Sequence, residues 1–303
     1  MHDLVIRNAT LIDGTGAERR VADIAVSGQT ITHVERRLGR AKREIDADGL
    51  MLTPGWVDIH THYDGQATWD PYMSPSANHG VTTAVFGNCG VGFAPVRPGQ
   101  EKYLINLMEG VEDIPETVLA EGMDFTWESF PEYLDTLAGM SRVMDIGAQV
   151  PHATLRFYVM GERGADHAEQ PTDDEIAEMG RLLEESLHAG ALGFTTSRTI
   201  KHKAADGRST PTLSAAEPEL AGMALAMKRA GKGVIEVNSD FGEGDFATLR
   251  QAAELAGRPL SVLLLQVDNA PDLWRETLGQ IEQANADGLH VTCLLYTSPS
   301  PRD

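Results

Sequence analysis

His60 and His62 stand two residues apart at the end of the run PGWVDIHTH (54–62), behind the apolar stretch 56–59. Side chains two apart on a β-strand point to one face. The two imidazoles are therefore expected to project together from a strand end, where one cation can take both. Cys89 lies further on in GNCG (87–90), between Gly87 and Gly90, which permit close backbone approach. Two imidazoles and a thiolate suit zinc, and a coordination position left open binds water and acidifies it. Cys89 has a plainer reading as a small buried hydrophobe. Asp240, in NSD (238–240), can add an oxygen donor or serve the first turn of a following helix. Arg198 can clamp a substrate carboxylate through two parallel hydrogen bonds, and an ion-paired or solvated arginine fits the sequence equally well. His152, after Pro151, is placed where a loop could reach substrate, or it is a surface residue. His202, between Lys201 and Lys203, reads as part of a solvated basic loop. His2, His33, His167 and His188 read as surface histidines.

These residues need a scaffold that collects strand ends. From Pro54 onward, short apolar runs alternate with helical patterns. The expected strands are 57–62, 82–88, 143–150, 191–197, 233–239 and 259–266, with a seventh beginning at 290–292. Expected helices include 172–189, 215–230 and 244–256; the first opens on acidic residues and closes on His188 and Gly190, as the helix dipole and C-cap favour. Such alternation with near-continuous apolar strands predicts a parallel sheet. Six units with a seventh starting fit an incomplete (β/α) barrel of TIM type, whose sites lie at the C-terminal strand ends. A doubly wound open sheet is the alternative, but no glycine-rich phosphate loop follows the first strand. Residues 1–53 carry short β-rich runs separated by Asp13-Gly14, Ser27-Gly28 and Asp48-Gly49, which predicts a small antiparallel β-unit. The segment 95–139 is too long for an ordinary βα connection. With a helical stretch near 102–109, Trp127 and Phe130, it reads as an insertion over the barrel mouth.

The 303 residues carry a formal net charge of −20, which argues against nucleic acid and anionic membrane surfaces as partners. No apolar run reaches the length of a membrane span, and no secretory pattern opens the chain. Two widely spaced cysteines do not form a disulfide framework, so a reducing cytoplasm is expected. The last eleven residues, CLLYTSPSPRD, read as a non-native tail translated from a sequencing-library adapter, leaving the natural sequence interrupted after Thr292.

PGWVDIHTHYD, together with HGVTTAVFGNCGVGFAPVRP (79–98), the opening VIRNATLIDGTG and the later GALGFTTSR (190–198), resembles the amidohydrolase superfamily. Within it the chain is similar to the D-aminoacylase, or N-acyl-D-amino-acid deacylase, group, over residues 1–292. The resemblance implies a β-sandwich portion beside a metal-dependent barrel that hydrolyses linear amides, with zinc as one or two ions. His60, His62 and Cys89 match the group's ligand positions, and a Gly-His stretch in the group corresponds to His152. The group's general base, a strand-eight aspartate, would fall beyond Thr292, so no catalytic residue is assigned. Two group ligands are missing: Asn238-Ser239-Asp240 and Leu265-Gln266 stand where strand-five and strand-six histidines are expected.

The expected substrate is a small molecule bearing an amide and a carboxylate; no expectation of oligomeric state follows. Cyclic-amide hydrolysis or deamination within the same superfamily is the nearest alternative, and a non-catalytic binding protein on the same barrel is the contrasting one. An unclosed barrel presents open strand edges, so the 303-residue chain is expected to be poorly soluble and without turnover.

Overall fold

The computed structural model describes residues 1–267 and 270–296. The chain forms two units, Met1–Trp56 and Val57–Asp303. The first is one mixed sheet of β1 (His2–Leu11), β2 (Arg20–Ser27), β3 (Thr30–Glu35), β4 (Ala41–Asp46) and β5 (Met51–Leu52), in the order β3-β2-β1-β4, with β5 also on β1. β1, β2 and β3 pair antiparallel as expected, but β4 and β5 run parallel to β1. After β3 the chain crosses to the far edge of β1 instead of turning back. Arg7 and Asp23 hold that crossing: the guanidinium donates to Leu38 O at 2.7 Å, and the Leu38 amide donates to the Asp23 carboxylate at 3.1 Å. Ala9, Leu11, Ala22, Ile24 and Ala47 form a small separate core.

The second unit has β6 (Trp56–Asp58), β7 (Val81–Phe86), α1 (Glu101–Glu112), α2 (Glu116–Gly122), α3 (Phe130–Ala138), β8 (Asp145–Ala148), β9 (Val150–Pro151) and α4 (His152–Met160). It continues through α5 (Asp173–Ala189), β10 (Gly193–Arg198), α6 (Glu217–Ala230), β11 (Val234–Ser239), α7 (Asp245–Ala256), β12 (Leu260–Leu265), α8 (Leu273–Ala286) and β13 (Val291–Tyr296). Strands pair in the order β6-β7-β8 and β9-β10-β11-β12-β13, parallel from β7 to β8 and throughout the second group. The result is an incomplete TIM-like barrel.

The strand expected over 143–150 is two pieces. β8 lies along β7 and β9 along β10, with Gln149 between them. Its amide donates to Phe86 O at 2.9 Å and its side chain donates to Asn88 Oδ1 at 2.7 Å. The third strand position thus changes neighbour at one residue. Leu104, Met108, Phe86, Leu155, Leu183 and Val262 are among the side chains that fill the core. α5 begins where its chemistry predicts: Thr172 caps it in a reciprocal pair with Glu175, and Gly190 ends it.

The segment 95–139 holds three helices, α1 to α3, the first of them over the stretch where a helix was expected. Trp127 is buried and donates to Phe93 O at 2.8 Å. β13 runs past Thr292, with Cys293 and Leu294 in register with Val262 and Leu263, so the strand does not stop at the expected tail boundary. The rest of that tail, 297–303, lies outside the described residues. Among the described residues no helix is long and apolar enough to cross a membrane.

Candidate metal centre

β6 ends at Asp58, so His60 and His62 stand beyond the strand rather than on it. The residue between them does the aligning. Thr61 is pinned to β7 through its amide and its hydroxyl, both donating to Val85 O at 3.0 and 2.9 Å. The Asn88 side chain donates through Nδ2 to Thr61 O at 3.1 Å. With Thr61 held to one side, the flanking imidazoles face the other, their centroids 5.5 Å apart.

Cys89 sits in a left-handed turn, φ +54°, between Gly87 at +80° and Gly90 at +68°. A Cβ on Gly87 would come 2.1 Å from Gln149 O, and one on Gly90 would come 3.0 Å from Thr196 Cα. The loop can therefore lie against the third and fourth strand positions only with glycine at Gly87. The Cys89 amide donates to Glu236 Oε2 at 3.1 Å, and the Gly90 amide donates to Thr195 Oγ1 at 3.0 Å. This anchoring puts Cys89 Sγ 3.3 Å from His60 Nε2. Donor atoms of His60, His62 and Cys89 all fall within 4.8 Å of one another.

Three further residues join them. Glu112, at the end of α1, reaches His62 Nε2 at 3.1 Å. His202, from the loop after β10, lies with Nδ1 2.8 Å from Ser197 Oγ and Nε2 3.1 Å from Asn238 Nδ2. Glu236, in the middle of β11, lies 3.5 Å from His60 Nδ1. His60, His62, Cys89, Glu112 and His202 line a cleft of about 320 Å³, with Lys201 and Leu263 on its walls. Burial, then the neighbouring His202, lowers the His60 pKa to about 4; burial above all takes His202 to about 4 and His62 well down. Neutral imidazoles keep their lone pairs for a cation. Burial first, then Glu236 and Glu112, pushes the Cys89 thiol up. A bound cation would reverse that, because a coordinating thiol is deprotonated.

The donor set fits a metal on a structural ground. His62 Nδ1, Glu236 Oε1 and Asn238 Oδ1 are buried without a hydrogen-bond partner. Buried polar atoms are rarely left so, and an ion is one of the few things that resolves them.

Other residues singled out from the sequence lie elsewhere. His152 is fully buried, with Nδ1 2.9 Å from Thr196 Oγ1 and Nε2 2.9 Å from Glu219 Oε1. Both ring nitrogens are taken up by partners within the core, so His152 is neither a surface residue nor a free loop donor. Instead it joins Arg156, whose Nη1 donates to the Glu219 oxygens at 2.8 and 2.6 Å. Asp240 accepts from Thr199 Oγ1 at 2.6 Å and from the Ile200 amide at 2.8 Å. It is outside the donor groups, and α7 starts only at Asp245, so neither expected role for Asp240 is met. Arg198 donates to Asp245 Oδ1 and Ala215 O, both at 2.6 Å; the ion-paired reading describes it.

Sequence reasoning passed over Glu112 and Glu236 and read His202 as part of a solvated basic loop. His202 is drawn from its basic loop into the cleft by Ser197 and Asn238. Glu236 carried a usable signal, a carboxylate inside the apolar strand VIEVNS, since a charge there needs a partner.

The chain matches the amidohydrolase family over residues 43–292. It belongs to that family. It is 35% identical over 195 residues to a D-aminoacylase of Alcaligenes xylosoxydans xylosoxydans, covering 64% of this chain and 37% of the relative. An N-acyl-D-glutamate deacylase of the same organism is 30% identical over 306 residues, covering 98% of this chain and 57% of the relative. The structure of N-acyl-D-glutamate deacylase from Bordetella bronchiseptica, complexed with zinc and a phosphonate inhibitor that mimics the tetrahedral intermediate, superposes with a TM-score of 0.75. That match has 27% identity and covers 98% of this chain and 59% of the other. The chain thus spans well under two thirds of the length of these relatives.

Proposed function

We propose that this chain carries the metal-binding part of a hydrolase that cleaves the linear amide of N-acyl-D-amino acids. The observation that carries the reading is the convergence of His60, His62 and Cys89 beside β6 and β7 in a member of the amidohydrolase family. His60, His62 and Cys89 would hold zinc, as one or two ions, which when bound supplies a Lewis acid and an acidified water. Glu236 orients this set from below, accepting from the Cys89 amide and facing His60. Glu112 does the same for His62 from the insertion. Arg198 is committed to Asp245, and the exposed Lys201 on the cleft wall offers a cation for the substrate carboxylate.

In the overall reaction water adds to the acyl carbon, the C–N bond breaks and the nitrogen takes a proton, giving a carboxylate and a free D-amino acid. The proton carrier belongs, by resemblance, to an eighth strand position; the described residues supply seven.

Asn238 at the end of β11 and Gln266 just past β12, where imidazoles are expected, favour a second reading: a metal-poor binding protein on the same barrel. One experiment separates the two. The protein is expressed in the longest form its source gene encodes, its metal content measured, and release of free amine followed with N-acetyl-D- and N-acetyl-L-amino acids. Bound zinc with chelator-sensitive hydrolysis of the D series is expected. A metal-free protein that hydrolyses neither series would sink the hydrolase reading in favour of the binder.

A further inference from the structure

A cavity of about 330 Å³ lies apart from the cleft, between the start of α1, the turn Gly161–Ala165 and the part of the loop after β10 that carries Asp206 and Arg208. Its groups sort by chemistry. Gln100 Oε1 and Asn106 Oδ1 are buried acceptors with no hydrogen-bond partner. Buried polar atoms are rarely left so, and the donor they lack has to come from what enters the cavity. Glu162 adds a carboxylate to the lining, and Tyr103 and Phe157 add an aromatic face, their ring centroids 4.1 Å apart. Acceptor oxygens beside an aromatic face suit an ammonium group. The lining also holds two cations, Lys102 and Arg208. Arg208 lies 5.4 Å from the Tyr103 ring centroid and gives Nε and Nη2 to Asp206 at 2.9 and 2.7 Å, with Nη1 outside that pair. Cations so placed suit a carboxylate. We propose that this cavity binds a free amino acid, its ammonium taken by Gln100, Asn106 and Glu162 and its carboxylate by Lys102 and Arg208.

The cavity sits on a seam between two segments. α1 supplies Gln100 at its N-cap and Asn106 from its middle, and the loop after β10 supplies Arg208. The segments meet backbone to backbone: Asn106 O accepts from the Ala205 amide at 3.0 Å, and a Cβ on Gly110 would come 2.2 Å from Ala204 C. An amino acid held by Gln100 and Asn106 at one end and by Arg208 at the other clamps the two segments together. The recognition uses neither His60, His62 nor Cys89, so it stands or falls apart from the metal site and from the proposed hydrolysis.

Equilibrium dialysis of the purified chain, stripped of metal, against radiolabelled alanine tests this without any turnover. Saturable uptake of one equivalent is expected, displaced by unlabelled alanine but not by N-acetylalanine, which lacks the ammonium, or by alanine methyl ester, which lacks the carboxylate. N106L keeps the bulk of asparagine without its amide and should weaken binding by at least about tenfold. E162Q and R208Q should each weaken it by about threefold. K201M, which alters the cleft wall, should leave it unchanged. Bound alanine should also slow hydrogen exchange over 100–106 and 203–208. Circular dichroism checks each variant for folding, and E162Q and R208Q, both at exposed positions, decide the matter should N106L unfold. No saturable uptake, displacement by N-acetylalanine, or uptake lost in K201M and kept in N106L, E162Q and R208Q overturns the proposal. Each of those results leaves the metal-site reading standing.

Discussion

Cys89 is held in a conformation that its own side chain disfavours, between glycines at positive φ, and the return for that strain is a sulfur 3.3 Å from His60 Nε2. Cys89→Ala should therefore abolish tight zinc binding while leaving the fold in place, as read by competition with a chromophoric chelator and by circular dichroism. Glu219 predicts the opposite pattern. It is the carboxylate partner of the fully buried Arg156 and touches His152, remote from the donor set. Glu219→Ala should lower stability by about 3–5 kcal/mol in urea denaturation, because it leaves a buried charge unpaired, with chelator-measured zinc affinity in the folded protein unchanged. At this scale the sequence showed the residues whose meaning lies in type and spacing: HTH and the cysteine between glycines. It hid Glu112 and His202, whose roles arise from contacts between segments far apart in the chain. It misdirected on His152, whose polar ring is satisfied by a core network that no local pattern announces.

The elements place the donors through backbone contacts more than through regular strands. β6 stops short of both histidines, and Thr61 on Val85 supplies the alignment that the strand pleat was expected to give. Gly87 is the tightest point, since a Cβ there meets Gln149 O at 2.1 Å. Gly87→Ala should cost at least about 1–3 kcal/mol from the positive φ alone. By pushing the 87–90 loop off Gln149 it should also weaken zinc binding, a pair of effects that titration and denaturation measure separately. Helices were legible to within a residue or two where caps and dipole agreed, as at Thr172 and Gly190. The β4 crossover to the far edge of β1 was not, because Arg7 and Asp23 fix it through contacts with Leu38. Nor was the division of the third strand position at Gln149, whose side chain is tied to Asn88 rather than to its own strand.

Across the whole molecule, the donor residues all belong to the unit Val57–Asp303, and none to Met1–Trp56. Zinc at a hundred times its dissociation constant should stabilise the unit that binds it by about 2.7 kcal/mol. Hydrogen exchange should register that gain in β7, β10 and β11, and leave β1 and β2 unchanged. β6 and β13 end the two sheets, each with one partner strand among the described residues, and such edges invite pairing with other chains. The barrel class was readable from strand-helix alternation, whereas the resemblance to one family rested on specific runs spread over the chain, from VIRNATLIDGTG through PGWVDIHTHYD and GNCG to GALGFTTSR. Anomalous diffraction at the zinc edge, on crystals grown with zinc, tests the central claim most directly. A peak within bonding distance of Cys89 Sγ and both the His60 and His62 rings is the predicted result. Zinc found only at other residues, with Cys89 Sγ still resting against His60 Nε2, would contradict it.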